Sequence, residues 1–386
     1  MTRRGVFGSL CAMVFLVNLA RVVFAPLVEP LQDAFGVGPA TVGLIVTLVW
    51  VGSAIPRIPT GYLLTIYPRH TMVLATGVML TLSSVVATLA NSIATLAIGA
   101  VLLGTASGAY FVAAHPLIAE LYTERVGRAL GIHGTAAQLS AVIAAPMVSL
   151  ALFVSWRLVF VAIGLGALAS TVYFTLMARR TEFPAASGAD RDFLGAIRAE
   201  WSLIVLGVVV FGATSFVWQG LFNFYPSYME ARGFTPGTAR NLLTVVFAAG
   251  VPAFWVSGIL VDRVPSVPYL AGIIGTFIGS VLLLTVTESL LGIIVVSALV
   301  GYVIHSLYPA ADAVLLSAFP DEHRGGAYAM FSGGMMLGQS LGSWLVGELV
   351  ERGFAYDAVF QGLAVSLAML VVTVGGLLAT DRIGPR

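Results

Sequence analysis

Apolar residues run along this chain in stretches of about 20, broken by short polar turns, and twelve such stretches begin near positions 6, 40, 71, 93, 129, 157, 202, 237, 268, 289, 326 and 357. About 20 apolar residues is the length a helix needs to cross a hydrocarbon core of roughly 30 Å. The pattern therefore predicts an all-α membrane protein with twelve transmembrane helices. The longest polar segment divides it into an N-terminal bundle over 1–178, a linker over 179–201 and a C-terminal bundle over 202–386. The halves repeat at an offset near 197: Gly36 and Pro39 match Gly233 and Pro236, Gly61 matches Gly258, and Leu63 matches Leu260. Arg125 and Gly127 match Arg324 and Gly326 at an offset of 199. Two parallel six-helix repeats imply a substrate site at their interface near the midplane and alternating access by rocking around it.

Composition agrees with a membrane setting, because 59% hydrophobic and 10% charged residues, with a mean hydropathy of +0.98, leave too few charges to cover a soluble globule. The chain has no lysine, so arginine alone sets the orientation. A cytoplasmic N-terminus places Arg3, Arg4, Arg69, Arg125, Arg128, Arg179, Arg180, Arg191, Arg198, Arg263, Arg324, Arg382 and Arg386 inside. It leaves only Arg157, Arg232, Arg240 and Arg352 outside. That asymmetry predicts both termini in the cytoplasm of a multi-pass protein of the cell membrane. The first run, directly after Thr2-Arg3-Arg4, has no small-residue cleavage site behind it and reads as a retained signal anchor. A net charge of +1 points to no nucleic-acid partner. Cys11 is the only cysteine, which removes disulfides, zinc and thiol redox chemistry, and no cofactor is expected. A monomer is expected, since two repeats already enclose one site.

The informative residues are the polar ones inside the apolar runs. Arg57 lies within Thr41 to Leu64 and Arg21 lies in the run before it, and a mid-membrane guanidinium costs roughly 2.5 to 3.5 kcal/mol on insertion scales. Such groups point into a polar cavity. Residues three and four apart share a helix face, which aligns Asn18, Arg21, Ala25, Glu29 and Gln32 in the first run, and Thr47, Trp50, Ser53, Arg57 and Thr60 in the second. Pro56 and Pro59 loosen the backbone around Arg57. The seventh run carries Ser215, Trp218, Gln219, Phe222, Asn223 and Tyr225; the tenth carries Ser297, Gly301, His305, Tyr308 and Asp312. Gln138 and Gln339 add polar groups in the fifth and eleventh.

A guanidinium is a planar fork of donors suited to a carboxylate or anion, and the plain alternative is an internal ion pair. Glu29, two turns from Arg21, favours the alternative there; Arg57 has no acid at matching depth. The substrate-binding candidates are Arg57, Arg21, Asn18, Gln138, Trp218, Gln219, Asn223 and Gln339. Groups that could carry a coupled proton are His115, His133, His305, Glu29, Glu120, Asp312 and Glu348. His305 and Asp312 share a face of one helix and are chosen, with Glu29. Glu120 is expected to pair with Arg125 and Arg128, and Glu348 with Arg352.

These residues resemble the major facilitator superfamily along nearly the whole chain. The family's loop between helices 2 and 3 reads Gly-x-Leu-Ala-Asp-Arg-x-Gly-Arg. The second-half copy Gly258-Ile-Leu260-Val-Asp262-Arg263 keeps it, whereas the first-half copy, Gly61 to Arg69, has Thr65 in place of the acid. Trp156-Arg157 and the Arg-Gly pairs at Arg125 and Arg324 also resemble the family. The resemblance implies that helices 1, 4, 7 and 10 line the cavity. It also implies that Gly61, Gly258, Asp262, Arg263, Glu120, Arg125, Arg128 and Arg324 form the gating loops, with Asp262 facing the N-terminus of a neighbouring helix. The segment Gly52 to Gly61 is similar to helix 2 of nitrate/nitrite porters, but Val251 to Trp255 lacks their second arginine. Arg21 with Arg57 resembles the basic pair of organophosphate:phosphate antiporters, but the seventh run has Trp218 and Gln219 in place of arginine. A monoanion or monocarboxylate fits better than a phosphate ester, with the proton as coupling partner. The competing reading is a drug exporter using Trp218, Phe222, Phe224, Tyr225, Met335 and Met336, which Ala144-Ala145-Pro146-Met147-Val148 weakens, because it departs from those antiporters' helix 5 signature. Gly338-Gln-Ser340-Leu-Gly342 matches a nucleophile pattern without its strand-turn-helix context, so helix packing explains it better than an enzyme. A non-transporting membrane sensor is a minor alternative.

Overall fold

A computed structural model describes residues 2–122, 126–181, 193–261, 263–320 and 323–379, and all regular structure among them is helical. The helices are α1 (Thr2–Val22), α2 (Phe24–Phe35), α3 (Pro39–Ala54), α4 (Arg57–Ile66), α5 (Arg69–Thr88), α6 (Ile93–Leu121), α7 (Val126–Ala151) and α8 (Arg157–Ala178). They continue with α9 (Phe193–Ala231), α10 (Pro236–Leu260), α11 (Ser266–Val286), α12 (Leu290–Ala318), α13 (Arg324–Glu351) and α14 (Tyr356–Ala379). Eleven described stretches are long and apolar enough to cross a membrane. The expected eleventh run differs: its helix, α13, has 28 residues but is diluted by glycine, serine, Gln339 and two glutamates, and it is not among those eleven. The first two runs each hold two helices. The chain turns at Val23 between α1 and α2, and α3 stops before Pro56, whose missing N–H starts α4 afresh at Arg57.

Two compact units divide the chain, Met1–Asp190 and Arg191–Arg386. Within the first, α1 packs on α7 and α8, α6 packs on α3 and α5, and α5 packs on α8. Within the second, α9 packs on α13 and α14, α12 packs on α10 and α11, and α11 packs on α14. Each unit therefore joins its long helices in the same order, first to fifth and sixth, fourth to second and third, third to sixth.

The repeat extends to single atoms. Gly36 and Gly233 both take positive φ, 61° and 90°, which a residue with a Cβ adopts at a cost. Pro39 and Pro236 both open a helix, where a missing N–H loses nothing. Ser92 caps α6 by accepting from the amide of Thr95 at 3.2 Å, and Ser289, 197 residues on, caps α12 by accepting from that of Gly292 at 3.1 Å. A Cβ on Gly104 would strike the carbonyl oxygen of Val49, and one on Gly301 would strike that of Val246. All these pairs keep the 197 offset, so the α3–α6 and α10–α12 crossings are the same joint made twice.

Candidate functional site

Arg21, near the end of α1, is buried, and its Nη2 donates to Asn18 Oδ1 one turn earlier at 2.5 Å. Asn18 Nδ2 donates in turn to the Ala137 carbonyl at 2.8 Å and to Ser140 Oγ at 3.0 Å, both on α7. The guanidinium carbon stands 4.8 Å from the Trp50 ring of α3 and 5.0 Å from the Phe111 ring of α6. Two aromatic faces thus flank one cation, which disperses its charge more cheaply than apolar walls do. Ser140 and Phe111 were missed in the sequence, since helical periodicity orders residues on one helix and does not say which neighbour they meet.

Arg57 is half-buried at the start of α4. A Cβ on Gly108 would come within 3.0 Å of the Pro56 ring, so α6 lies directly against the turn that carries Arg57. From there Phe111 and His115 follow on the same side of α6, with ring centroids 5.8 Å apart. Behind them His133 of α7 is buried; its ring meets that of His115 edge-on at 5.5 Å and stacks on Tyr110 at 5.8 Å. Gln138 is half-buried on α7, next in sequence to the Ala137 carbonyl that Asn18 uses. Glu29 is half-buried on α2.

In the second unit Gln219 and Asn223 sit one turn apart on α9 and face α13. Asn223 Nδ2 donates to the Gln219 carbonyl at 2.8 Å and to Ser343 Oγ at 3.0 Å. Those donations fix the orientation of the amide and leave Asn223 Oδ1 buried without a partner, as are Gln219 Nε2 and Gln339 Oε1. These three side chains thus offer one donor and two acceptors to hydrogen-bonding groups in a place where each unmet group costs free energy.

Beside this patch Trp218 stacks on Phe222 at 5.2 Å and meets Phe247 at 5.9 Å and His305 at 5.4 Å. His305 also meets Phe254 at 5.9 Å, and its Nδ1–H donates to the Gly301 carbonyl at 2.6 Å. Asp312, two turns on, accepts from the Tyr328 hydroxyl at 2.7 Å, so the two expected proton carriers have separate partners. Of the aromatic residues expected to form one apolar pocket, Phe224 leaves the group and packs against Tyr356, and Tyr225 pairs with Ser297 Oγ. Phe247 and Phe254 take their place. At the 197 offset Arg21 corresponds to Trp218 and Trp50 to Phe247, so the first unit holds a cation where the second holds an indole.

Among the gating residues, Glu120 pairs with Arg69 of α5, a partner that its place in the sequence does not suggest. Arg128 is exposed on α7, and Arg263 is exposed after α10. Gly61 and Gly258 have open space where a Cβ would stand. Arg125 and Asp262 lie outside the described residues, and Arg324 is described only as the first residue of α13. Glu348 pairs with Arg352, as expected. Gly342 lies against the Phe216 carbonyl of α9, which gives the glycine-serine motif its packing role.

Residues 10–270 and 241–385 match the family model described as Major Facilitator Superfamily. The chain is 23% identical over 381 residues to the uncharacterized MFS-type transporter YwfA of Bacillus subtilis (strain 168), covering 94% of this chain and 88% of that one. Its fold is similar to a D-xylose-proton symporter, with a TM-score of 0.76 and 16% identity over 95% of this chain and 96% of that one. It is also similar to a bacterial homolog of the human lysosomal transporter Spinster in its inward-facing, occupied conformation, with a TM-score of 0.75 and 17% identity over 98% and 96%.

Proposed function

This chain belongs to the major facilitator superfamily and is a multi-pass secondary transporter rather than an enzyme, and from that premise we propose that it carries a small monoanion or monocarboxylate, coupled to protons, across the cell membrane. The observation that carries this reading is the pair of arginines in the first unit, Arg21 flanked by Trp50 and Phe111 and Arg57 at the re-started turn of α4. Arg21 is oriented by Asn18, so part of its fork is already committed. One committed and one half-buried guanidinium suit a singly charged ligand better than a dianion. In the second unit, Gln219, Asn223 and Gln339 offer a buried donor and two buried acceptors of their own. Alternating access gives each face of the membrane its turn at these groups.

Thermal unfolding of the purified protein with nitrate, acetate and lipophilic cations, beside Arg57→Ala, tests the reading. A ligand near 100 times its dissociation constant adds about 2.7 kcal/mol by mass action. Nitrate or acetate should stabilise the wild type and not the variant. Stabilisation by lipophilic cations alone would instead select the exporter reading, which the Trp218, Phe222, Phe247 and Phe254 rings around His305 favour.

A further inference from the structure

We infer that the seam between α9 and α13 binds a file of ordered water, one molecule to each turn of α9, held by Ser215, Gln219, Asn223 and Ser227 and by Gln339 of α13. The inference goes beyond the anion reading and does not depend on it. A spacing of four brings one polar side chain to the same side of α9 at every turn from Ser215 to Ser227. None of the five residues is more than 4% exposed. Ser215 Oγ, Gln219 Nε2, Asn223 Oδ1, Ser227 Oγ and Gln339 Oε1 are all buried without a hydrogen-bond partner among the described residues. A hydroxyl inside a helix commonly returns to the backbone, as Ser306 does to the Tyr302 carbonyl at 2.9 Å and Thr214 to that of Val210 at 2.8 Å. Ser215 and Ser227 do not, so their hydrogens serve something else.

The register of the two helices brings these atoms together. Gly207 lies against Phe331 and Gly220 against Gly342, so α9 and α13 run in the same direction. Asn223 is joined to Ser343 at 3.0 Å, which sets Gln219 and Gln339, each one turn earlier, level across the seam. Their amides carry a donor and an acceptor, yet the two make no direct bond. The first unit differs at the same place. There Asn18 and Ser140, joined at 3.0 Å, tie α1 to α7 directly. At offsets of 197 and 199 their counterparts are Ser215 and Gln339, both without a partner.

The mixture of donors and acceptors selects the occupant. An anion would face the oxygens of Asn223 and Gln339, and a cation would face the hydrogens of Gln219, so neither charge fits. Water donates and accepts, and it fits even if an amide turns over. Its size matches too: one helical turn rises about 5.4 Å, close to two O–H···O bonds of about 2.7 Å laid end to end. Gln219 Nε2 then gives one hydrogen to the water on either side of it, and Asn223 Oδ1 accepts one from each of its two neighbours. The serine hydroxyls close the ends, and the water beside Ser215 donates to Gln339 Oε1. Each molecule gains the two or more polar partners that a buried water needs.

The test combines thermal unfolding with radiolytic hydroxyl-radical footprinting of the full-length protein. Gln219→Met and Gln339→Met keep the length of the side chain and remove its polar atoms. With water in the file, each should lower the melting temperature by about 2 to 4 °C, because the neighbouring groups lose their bridge. Were the amides dry and unmet, each methionine would remove a burial cost and raise the melting temperature, which overturns the inference. Radiolysis makes radicals from water bound in place, so Met336, buried and three residues from Gln339, should be oxidised in the wild type and less in Gln219→Met. A wild type in which exposed Met369 is oxidised and Met336 is not also overturns it. So does a sorbitol-induced rise in melting temperature that is larger for the wild type than for Gln219→Met, since that outcome gives the groups to a hydroxylated solute.

Discussion

Arg21 donates to Asn18 at 2.5 Å, and Asn18 spends its own two hydrogens on Ala137 and Ser140 of α7. One amide therefore aims the cation and ties the first long helix of the unit to the fifth. Asn18→Ala should lose about 1 to 3 kcal/mol of stability, because it removes the tie from α1 to α7 and the acceptor that orients the Arg21 guanidinium. It should also weaken nitrate binding. Ser140→Ala should cost less, since Asn18 keeps its carbonyl acceptor. Thermal unfolding with and without nitrate separates the two; equal losses for both variants would mean that the Asn18–Arg21 contact does not position the cation.

The repeated glycine joint makes a second prediction. Gly104→Ala and Gly301→Ala each drive a methyl into a backbone carbonyl that cannot rotate away, so each should destabilise its own unit by about 1 to 3 kcal/mol or prevent folding. Gly338→Ala is the control. It lies in α13 with open space at the Cβ position, and alanine there should be neutral or raise stability by up to about 1 kcal/mol. Chemical denaturation read by tryptophan fluorescence decides between them.

What could be read in the sequence was whatever repeats or is periodic. The 197 offset picked out Gly36 with Gly233 and Pro39 with Pro236 before any helix was seen, and both pairs have the same backbone job. Pro56 likewise announced the interruption beside Arg57. The pairing of Glu120 was not legible, because sequence proximity to Arg125 and Arg128 says nothing about α5 lying alongside α6. The rings on either side of Arg21 come from two different helices, Trp50 and Phe111, and only the crossing at Gly104 and Gly108 brings them together.

Glu120 and Arg69 are each about one-fifth exposed, at 21% and 22%, so their ion pair should add only about 0 to 1 kcal/mol to global stability. Its effect should appear instead in transport. Glu120→Gln should change the rate at which nitrate-loaded vesicles exchange their contents while leaving the unfolding temperature nearly unchanged. The swap Arg69→Glu with Glu120→Arg should recover most of that rate. A double mutant no better than either single change would show that the two residues act independently.

The two readings of the substrate place it against different tryptophans. Trp50 lies 4.8 Å from the Arg21 guanidinium, whereas Trp218 lies among Phe222, Phe247 and His305. An anion drawn to Arg21 and Arg57 should alter the emission of Trp50, and a lipophilic cation entering the rings should alter that of Trp218. The chain has six tryptophans, so single replacements are needed to assign the signal. Trp50→Phe keeps an aromatic face for Arg21 and should abolish the nitrate-induced change while preserving most of the affinity. Trp50→Ala removes the face as well and should cost about 0.5 to 2 kcal/mol of the contact to Arg21. Trp218→Phe should leave the nitrate signal intact. If the nitrate signal is lost with Trp218→Phe and kept with Trp50→Phe, the anion is not held by the first unit's arginines, and the aromatic group around His305 becomes the place to look for the substrate.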